Sequence, residues 1–293
     1  MTGDLDRIVD ELSSLAELGV RKAKAKGAEE SEAFVSNINT LSINVKTGIV
    51  VARQGSSLGV GIRVVLGKKV GFAATSGLDE AKIERTTQEA IEVAKIRPLD
   101  PKFNHLADAV KIPSKDGIID NKVLGLSEAD ALKEVRKLSK TAFEYDKRIK
   151  ALFGGVVVQK GAFAVANSRG VVGCSKGAGV GGGVYLTAIE QGKQKTGAES
   201  IDTRKLVDFS DVGSKAAQRA IKMLKSKPLK KSFRTTIVWE NIAIAPLLQY
   251  MLNEASNARN VNEGKSFFKD KLGQKVASPS SPPWTMDNYQ RDC

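Results

Sequence analysis

The spacing of apolar residues switches twice along this chain from a helical to a strand period, and this alternation in blocks restricts the fold more than any other feature. Leu5, Ile8, Leu12 and Leu15 recur at three- and four-residue spacing and predict a helix over about residues 4–25, stopped by Gly27. Over residues 32–76 the period changes. Ala33, Val35, Ile38, Ile43, Val45, Ile49 and Val51 lie among polar residues, and Gly48, Gly55 and Gly59 mark turns. Residues 59–76 read as two strands joined at Gly67-Lys68, so the block is an antiparallel meander. Ser76-Gly77-Leu78-Asp79 resembles a capping box, opening a helix with Ile83, Ala90, Ile91 and Ala94 on one side.

The order then recurs. Residues 97–125 form a connection containing proline and lysine. A helix beginning near Ser127 places Leu132, Val135, Leu138 and Ala142 on one face, and a glycine-rich strand block covers residues 149–201. A further helix over about residues 212–225 presents Ala216, Ala220, Ile221 and Leu224. No residue-level repetition links the two blocks. Strands grouped in blocks with helices between them predict an α+β fold of antiparallel sheets with flanking helices, packed as two sheets, and not a doubly wound parallel fold. The expected division is an N-terminal part over residues 1–227, in blocks of about 1–97 and 123–227, and a C-terminal part over 228–293. The basic, proline-containing run over residues 225–234 links them.

A chain of 293 residues accommodates two domains with their own cores. Hydrophobic content of 41% and charged content of 27% are those of a globular protein. M-T-G-D-L-D-R-I has acids where a signal peptide needs basic residues, and no run approaches the roughly 20 apolar residues of a membrane helix. The expectation is a cytoplasmic protein without membrane contact. Cys174 and Cys293 are the only cysteines and His105 the only histidine. That count excludes a disulfide framework, a cysteine zinc site and a histidine-pair metal site, and His105 reads as a surface residue. The net charge of +13 comes from basic residues spread along the chain and interleaved with acids. Non-specific polyanion attraction at low salt is expected rather than specific nucleic-acid recognition. Gly179–Gly183 precedes a strand pattern rather than a helix, so these glycines pack a sheet instead of cradling phosphate. Asn167-Ser168-Arg169-Gly170 reads as a hairpin turn.

Further on, Thr236–Trp239 reads as a short strand. It precedes a helix with Leu247, Leu248, Met251, Leu252 and Ala255 on its apolar side and Pro246 in its first turn. Residues 264–279 then read G-K-S-F-F-K-D-K-L-G-Q-K-V-A-S-P. Together with G-V-G-I-R-V-V-L-G-K-K-V-G-F-A-A-T-S-G-L-D in the first block, in this order and spacing, the chain over residues 32–279 resembles the TldD/PmbA family, also called modulators of DNA gyrase. That family includes zinc metalloproteases whose C-terminal helix carries a His-Glu-x-x-x-His motif. Laid on from Leu247-Leu248, the two histidine positions fall on Gln249 and Glu254 and the glutamate position on Tyr250.

The resemblance therefore implies the PmbA (TldE-like) branch, whose members resemble the non-catalytic partner of a two-subunit protease. On this reading the chain has no catalytic residues, metal site or cofactor of its own. Zinc belongs to a TldD-like subunit, the chain assembles with such a subunit or as a homo-oligomer, and the substrates are unfolded peptides. After Pro279 the family pattern gives way to S-S-P-P-W-T-M-D-N-Y-Q-R-D-C, where two prolines stand in place of a strand. The expectation is a β-rich C-terminal domain that begins and then stops, by a frame change or a natural end. Two other readings remain open: a basic nucleic-acid-associated protein, or a truncated fragment without function.

Overall fold

The structure, a computed structural model, describes residues 2–110 and 119–276. The chain divides into two compact units, residues 1–227 and 228–293.

In the first unit, helix α1 (Thr2–Ala25) leads into strands β1 (Glu30–Lys46), β2 (Ile49–Leu66) and β3 (Lys69–Ser76), followed by α2 (Glu80–Ile96). After the connection come the single-turn α3 (Asn121–Leu124), α4 (Glu128–Tyr145), strands β4 (Ile149–Asn167), β5 (Val172–Glu190) and β6 (Lys193–Thr203), and α5 (Ser210–Leu224). The fold is α+β, with antiparallel strands throughout. Three hairpins turn on two residues that both have positive φ, Thr47-Gly48, Gly67-Lys68 and Gln191-Gly192. This backbone twist matches that of the paired strands. Asn167 organises the fourth turn: its Oδ1 accepts from the N–H of Arg169 and of Val171, and Gly170 has φ 88°.

The expectation of two sheets is corrected. The strands form one six-stranded sheet in the order β3-β2-β1-β4-β5-β6. β1 and β4 pair along nearly their whole length, from Glu32–Asn167 to Lys46–Phe153. Each would otherwise be a long edge with an apolar face, and joining the meanders removes both edges. The face bearing Ala33, Val35, Ile43 and Val45 of β1 is buried under the helices, in two cores. One holds α1, α2 and the first meander, the other α4, α5 and most of the second. The helix starts are local sequence effects. At Ser127 and Asp130 a full capping box satisfies the first turn of α4. At α2 the cap is Asp79, which accepts from the N–H of Lys82, and not Ser76; Gly77, at φ 96°, makes the preceding turn.

The two halves are structural repeats, and residue-level repetition does exist in three dimensions. A Cβ on Gly71 of β3 would lie 2.1 Å from Ala90 O and 2.5 Å from Ala94 N of α2. A Cβ on Gly197 of β6 would lie 2.3 Å from both Ala216 O and Ala220 N of α5. Each glycine lets a strand press against a helix through an alanine pair of identical spacing. The ladders agree with this match: Val35–Val60–Thr75 across β1-β2-β3 answers to Val156–Gly182–Ile201 across β4-β5-β6.

In the second unit, α6 (Asn241–Ser256) and α7 (Ala258–Asn262) are the regular elements among the described residues. Thr236–Trp239 forms no strand: it has no ladder partner among the described residues, and an isolated strand cannot satisfy its backbone groups. Pro246 lies inside α6 rather than in its first turn. Residues 264–276 run through turns and form no strand. The expectations for residues 277–293, Cys293 included, lie outside the described residues.

Candidate functional site

Helix α6 carries Gln249, Tyr250 and Glu254, the three positions on which counting along the sequence lays the family motif. Gln249 and Tyr250 are exposed, Tyr250 at 75%. Glu254 is exposed and its Oε2 accepts from Asn260 Nδ2 at 2.9 Å; its backbone oxygen accepts from the same amide. Asn260 follows Asn257, whose side chain caps α7. The helix is α-helical across 249–254, so Gln249 and Glu254 project about 140° apart. One carboxylate, one amide and a phenol, without imidazole, do not match the donor set of a catalytic zinc, and a single glutamate does not hold the ion. No group of three His, Cys, Asp or Glu residues arranged to hold a metal occurs among the described residues. Nearby, Ser266 is buried and donates to Ala255 O, while Glu263 is held well below the usual carboxylate range, at about 2, by Arg259 and Lys265.

Geometry singles out a second region, in the first unit. β3 pairs with β2 only from Gly59 to Leu66, and the ladder closes with Gly77 N–H donating to Leu58 O. Every residue from Ile49 to Leu58 is exposed. In the other half, β6 likewise leaves the start of β5 unpaired, from Val172 to Gly179. There, however, the chain covers the strand. Leu5 of α1 packs in the same core as Ala178 and Val180, and Asp6 pairs with Lys176. The equivalent positions in β2 are Ser56 and Leu58. Leu58 is 37% exposed, against 3% for Val180. The cause is helix length: α1 has 24 residues and α4 has 18. α4 starts at Ser127, leaving a cavity of about 210 Å³ lined by Asn39, Leu41, Gln54, Ser127, Glu128 and Lys160. Lys160 donates to Leu124 O and Leu126 O, and burial lowers its pKa from the ordinary lysine value.

The remaining residues singled out by sequence have structural places. His105 is half exposed and donates from Nδ1 to Leu106 O at 2.6 Å. It belongs to a strap that crosses one end of the sheet: Leu106 N–H donates to Glu30, Asn167 Nδ2 to Ala107 O, and Arg169 pairs with Asp108. Cys174 is an exposed free thiol on β5. Gly179–Gly183 lie within β5; a Cβ on Gly182 would lie 2.3 Å from the ring of Phe209, so the glycine makes room for that buried ring. Sequence reasoning missed the bare half of β2, because what distinguishes it is a helix that begins late elsewhere in the chain.

A curled-together pair of helix–meander–helix repeats followed by a helical segment defines the class. Three family models match in succession: the PmbA/TldA metallopeptidase domain 1 over residues 31–94, the central domain over 121–224 and the C-terminal domain over 232–281. The chain belongs to the PmbA/TldD family. Its relatives include the uncharacterized protein MJ0231 of Methanocaldococcus jannaschii, 25% identical over 88% of this chain and 58% of that protein. The metalloprotease MJ0996 of the same organism is 25% identical over 81% of this chain and 53% of its own length. Among solved structures, TldE from Thermococcus kodakarensis matches with a TM-score of 0.76 and 20% identity, covering 90% of this chain and 60% of that one. A Bacteroides thetaiotaomicron candidate modulator of DNA gyrase matches with a TM-score of 0.81 and 20% identity, over 92% and 63%. The chain thus spans a little over half the length of the curated relatives it matches. No helix among the described residues is long and apolar enough to cross a membrane.

Proposed function

We propose that this chain acts as a PmbA/TldE-like subunit of a TldD/TldE-type zinc metalloprotease system in the cytoplasm, without a metal site of its own. The observation that carries this reading is the combination of family membership with Gln249, Tyr250 and Glu254 at the motif positions. Catalysis by a metalloprotease of this kind needs imidazole ligands and a general-base carboxylate, and those positions supply neither. The zinc and the hydrolytic step belong to a TldD-like partner, and this chain contributes surface for unfolded peptides.

The test is reconstitution. The chain is expected to co-purify with a histidine-bearing TldD-like protein from the same source and to raise its hydrolysis of an unfolded peptide. Alone it should hydrolyse nothing and bind no stoichiometric zinc by elemental analysis after chelator-free purification. One zinc per chain, lost on Glu254→Ala, would overturn the reading. The +13 charge supports a second reading, binding to nucleic acid. Sequence-selective, salt-sensitive DNA retention together with failure to enhance the peptidase would favour it.

A further inference from the structure

The first half of β2 is an open strand edge, and, unlike the equally unpaired start of β5, it has no helix over its face. The parity of the ladder tells which main-chain groups are free. Leu58 O accepts from Gly77, on the side away from β1, and Val65 O accepts from Glu29, on the side toward β1. The β1–β2 register is unbroken from Glu30–Val65 to Lys46–Ile49. Even-numbered residues of β2 therefore direct N–H and C=O outward, and odd-numbered ones bond β1. Below the end of β3, these outward residues are Val50, Ala52, Gln54 and Ser56. They offer a run of donors and acceptors that nothing in the described structure pairs.

Native edges of this length are blunted by lysines, prolines or bulges. Ile49–Leu58 contains no proline or lysine and shows no register shift, and its single charge is Arg53. We infer that this edge binds an extended peptide by strand addition, with an acidic residue of the peptide set opposite Arg53. The inference rests on the peptide-handling role proposed above and names where the peptide lies. A strand entering here continues the line of β3 and presents alternate side chains to the two faces, as in any sheet. A second copy of this chain fits less well. Antiparallel self-pairing centred on the exposed stretch sets Arg53 against its own copy, and like charges directly opposite destabilise a ladder. Shifting the centre to avoid this shortens the ladder.

The experiment uses the full chain and a short fluorescein-labelled peptide of alternating valine and threonine with one central glutamate, read by fluorescence anisotropy. A matching peptide carries lysine in place of the glutamate. Ala52→Pro with Gln54→Pro removes two outward N–H groups that bond nothing in the chain, a location where edge strands accept proline. Unchanged melting shows that the variant folds. Binding of the glutamate peptide is expected to weaken by about tenfold or more in that variant, from two lost hydrogen bonds. Arg53→Glu, an exposed change that does not depend on proline being tolerated, should reverse the preference between the two peptides. Undiminished binding to the folded proline variant, or absence of binding to the parent chain, overturns the inference. So does a dimer of the parent chain, seen by sedimentation, that the prolines dissolve, since the edge then belongs to a second copy. Probe binding without any enhancement of a TldD-like peptidase leaves the edge inference standing and overturns the proposed function. Enhancement without probe binding does the reverse.

Discussion

The first and second halves of the sheet unit solve one packing problem with different residues. Where the first half has Val60 in its second strand and Ile83 in its closing helix, the second has Gly182 and Phe209 at the corresponding places. All four contribute to tightly packed regions: Val60, Ile83 and Phe209 are almost wholly buried, and Gly182 faces the Phe209 ring. Volume removed from the strand is returned by the helix. The helix pairs also differ. In the first half, Lys22 and Lys26 of α1 grip Glu84 of α2, and Lys22 also reaches Glu80. In the second, a Cβ on Gly213 would lie 2.1 Å from Leu138 O, and Thr141 Oγ1 donates to Ser210 O at 2.8 Å. One pair of helices is joined by charges at the rim and the other by direct backbone approach. The repeat conserves geometry while exchanging the chemistry that maintains it.

The largest expected effect breaks the shared element. Gly197→Val sets side-chain atoms into the backbone of α5, which cannot give way, and should cost about 4 kcal/mol or more, with Gly71→Val costing a similar amount at α2. Hydrogen exchange should show each substitution loosening its own half first. Equal loosening of both halves would mean that the repeats do not behave as separate packing units.

The exchange of volumes gives a sharper test. Gly182→Val overfills the Phe209 site and is expected to cost about 3 kcal/mol. Phe209→Ile alone leaves a cavity and should also destabilise. Combined, they recreate the pairing of the first half, and the double variant should recover at least about 1 kcal/mol relative to additivity, measured by denaturant unfolding. Additive losses would show that the two sites are not equivalent.

A smaller effect concerns the crossing helix. Leu5 belongs to α1 yet packs in the second core, so Leu5→Ala should cost about 2 kcal/mol and lower protection in β5 rather than in β2. The smallest effect is electrostatic. Glu84 is pushed from 4.5 down to about 2, chiefly by its hydrogen bond from Lys22 and then by Lys26. Asp146 is lowered from 3.8 to about 2 by Arg148, which also pairs with Glu190. A depressed carboxylate contributes its stability in full above its unfolded value and loses it as pH falls toward the folded one. Glu84→Gln should therefore flatten acid unfolding in the first half between about pH 4.5 and 2, and Asp146→Asn in the second between about pH 3.8 and 2. Both groups are partly open to solvent, so the changes should be slight and diminish in high salt.

Much of this fold is legible in the sequence where the cause is local. The turns at Gly67-Lys68 and Asn167–Gly170, the cap at Ser127 and the alternation of β1 all follow from residue type and spacing. The joining of the meanders does not, because nothing in the alternation of β1 or β4 says which strand lies beside which. Nor does the repeat. Its matches, such as Gly71, Ala90 and Ala94 against Gly197, Ala216 and Ala220, are scattered small residues, and exchanges such as Val60/Ile83 for Gly182/Phe209 interrupt the identity between them. Thr236–Trp239 shows the opposite failure: its residues favour a strand, but a strand needs a neighbour. The placing of the family motif on Gln249, Tyr250 and Glu254 is itself a count along the sequence from Leu247-Leu248. The bare half of β2 could not be located in this way, since its free edge depends on where β3 ends and its open face on where α4 begins.

The β1–β4 ladder also sets a schedule. Its partners, such as Glu32 with Asn167 and Lys46 with Phe153, are separated by more than a hundred residues of chain. At synthesis rates of about 5–20 residues per second, β1 emerges from the ribosome roughly 5–25 s before its partner does. Throughout that interval the first meander presents an unpaired inner edge, so the seam that unites the finished sheet is also the site where a half-made chain is most open to capture by a neighbour.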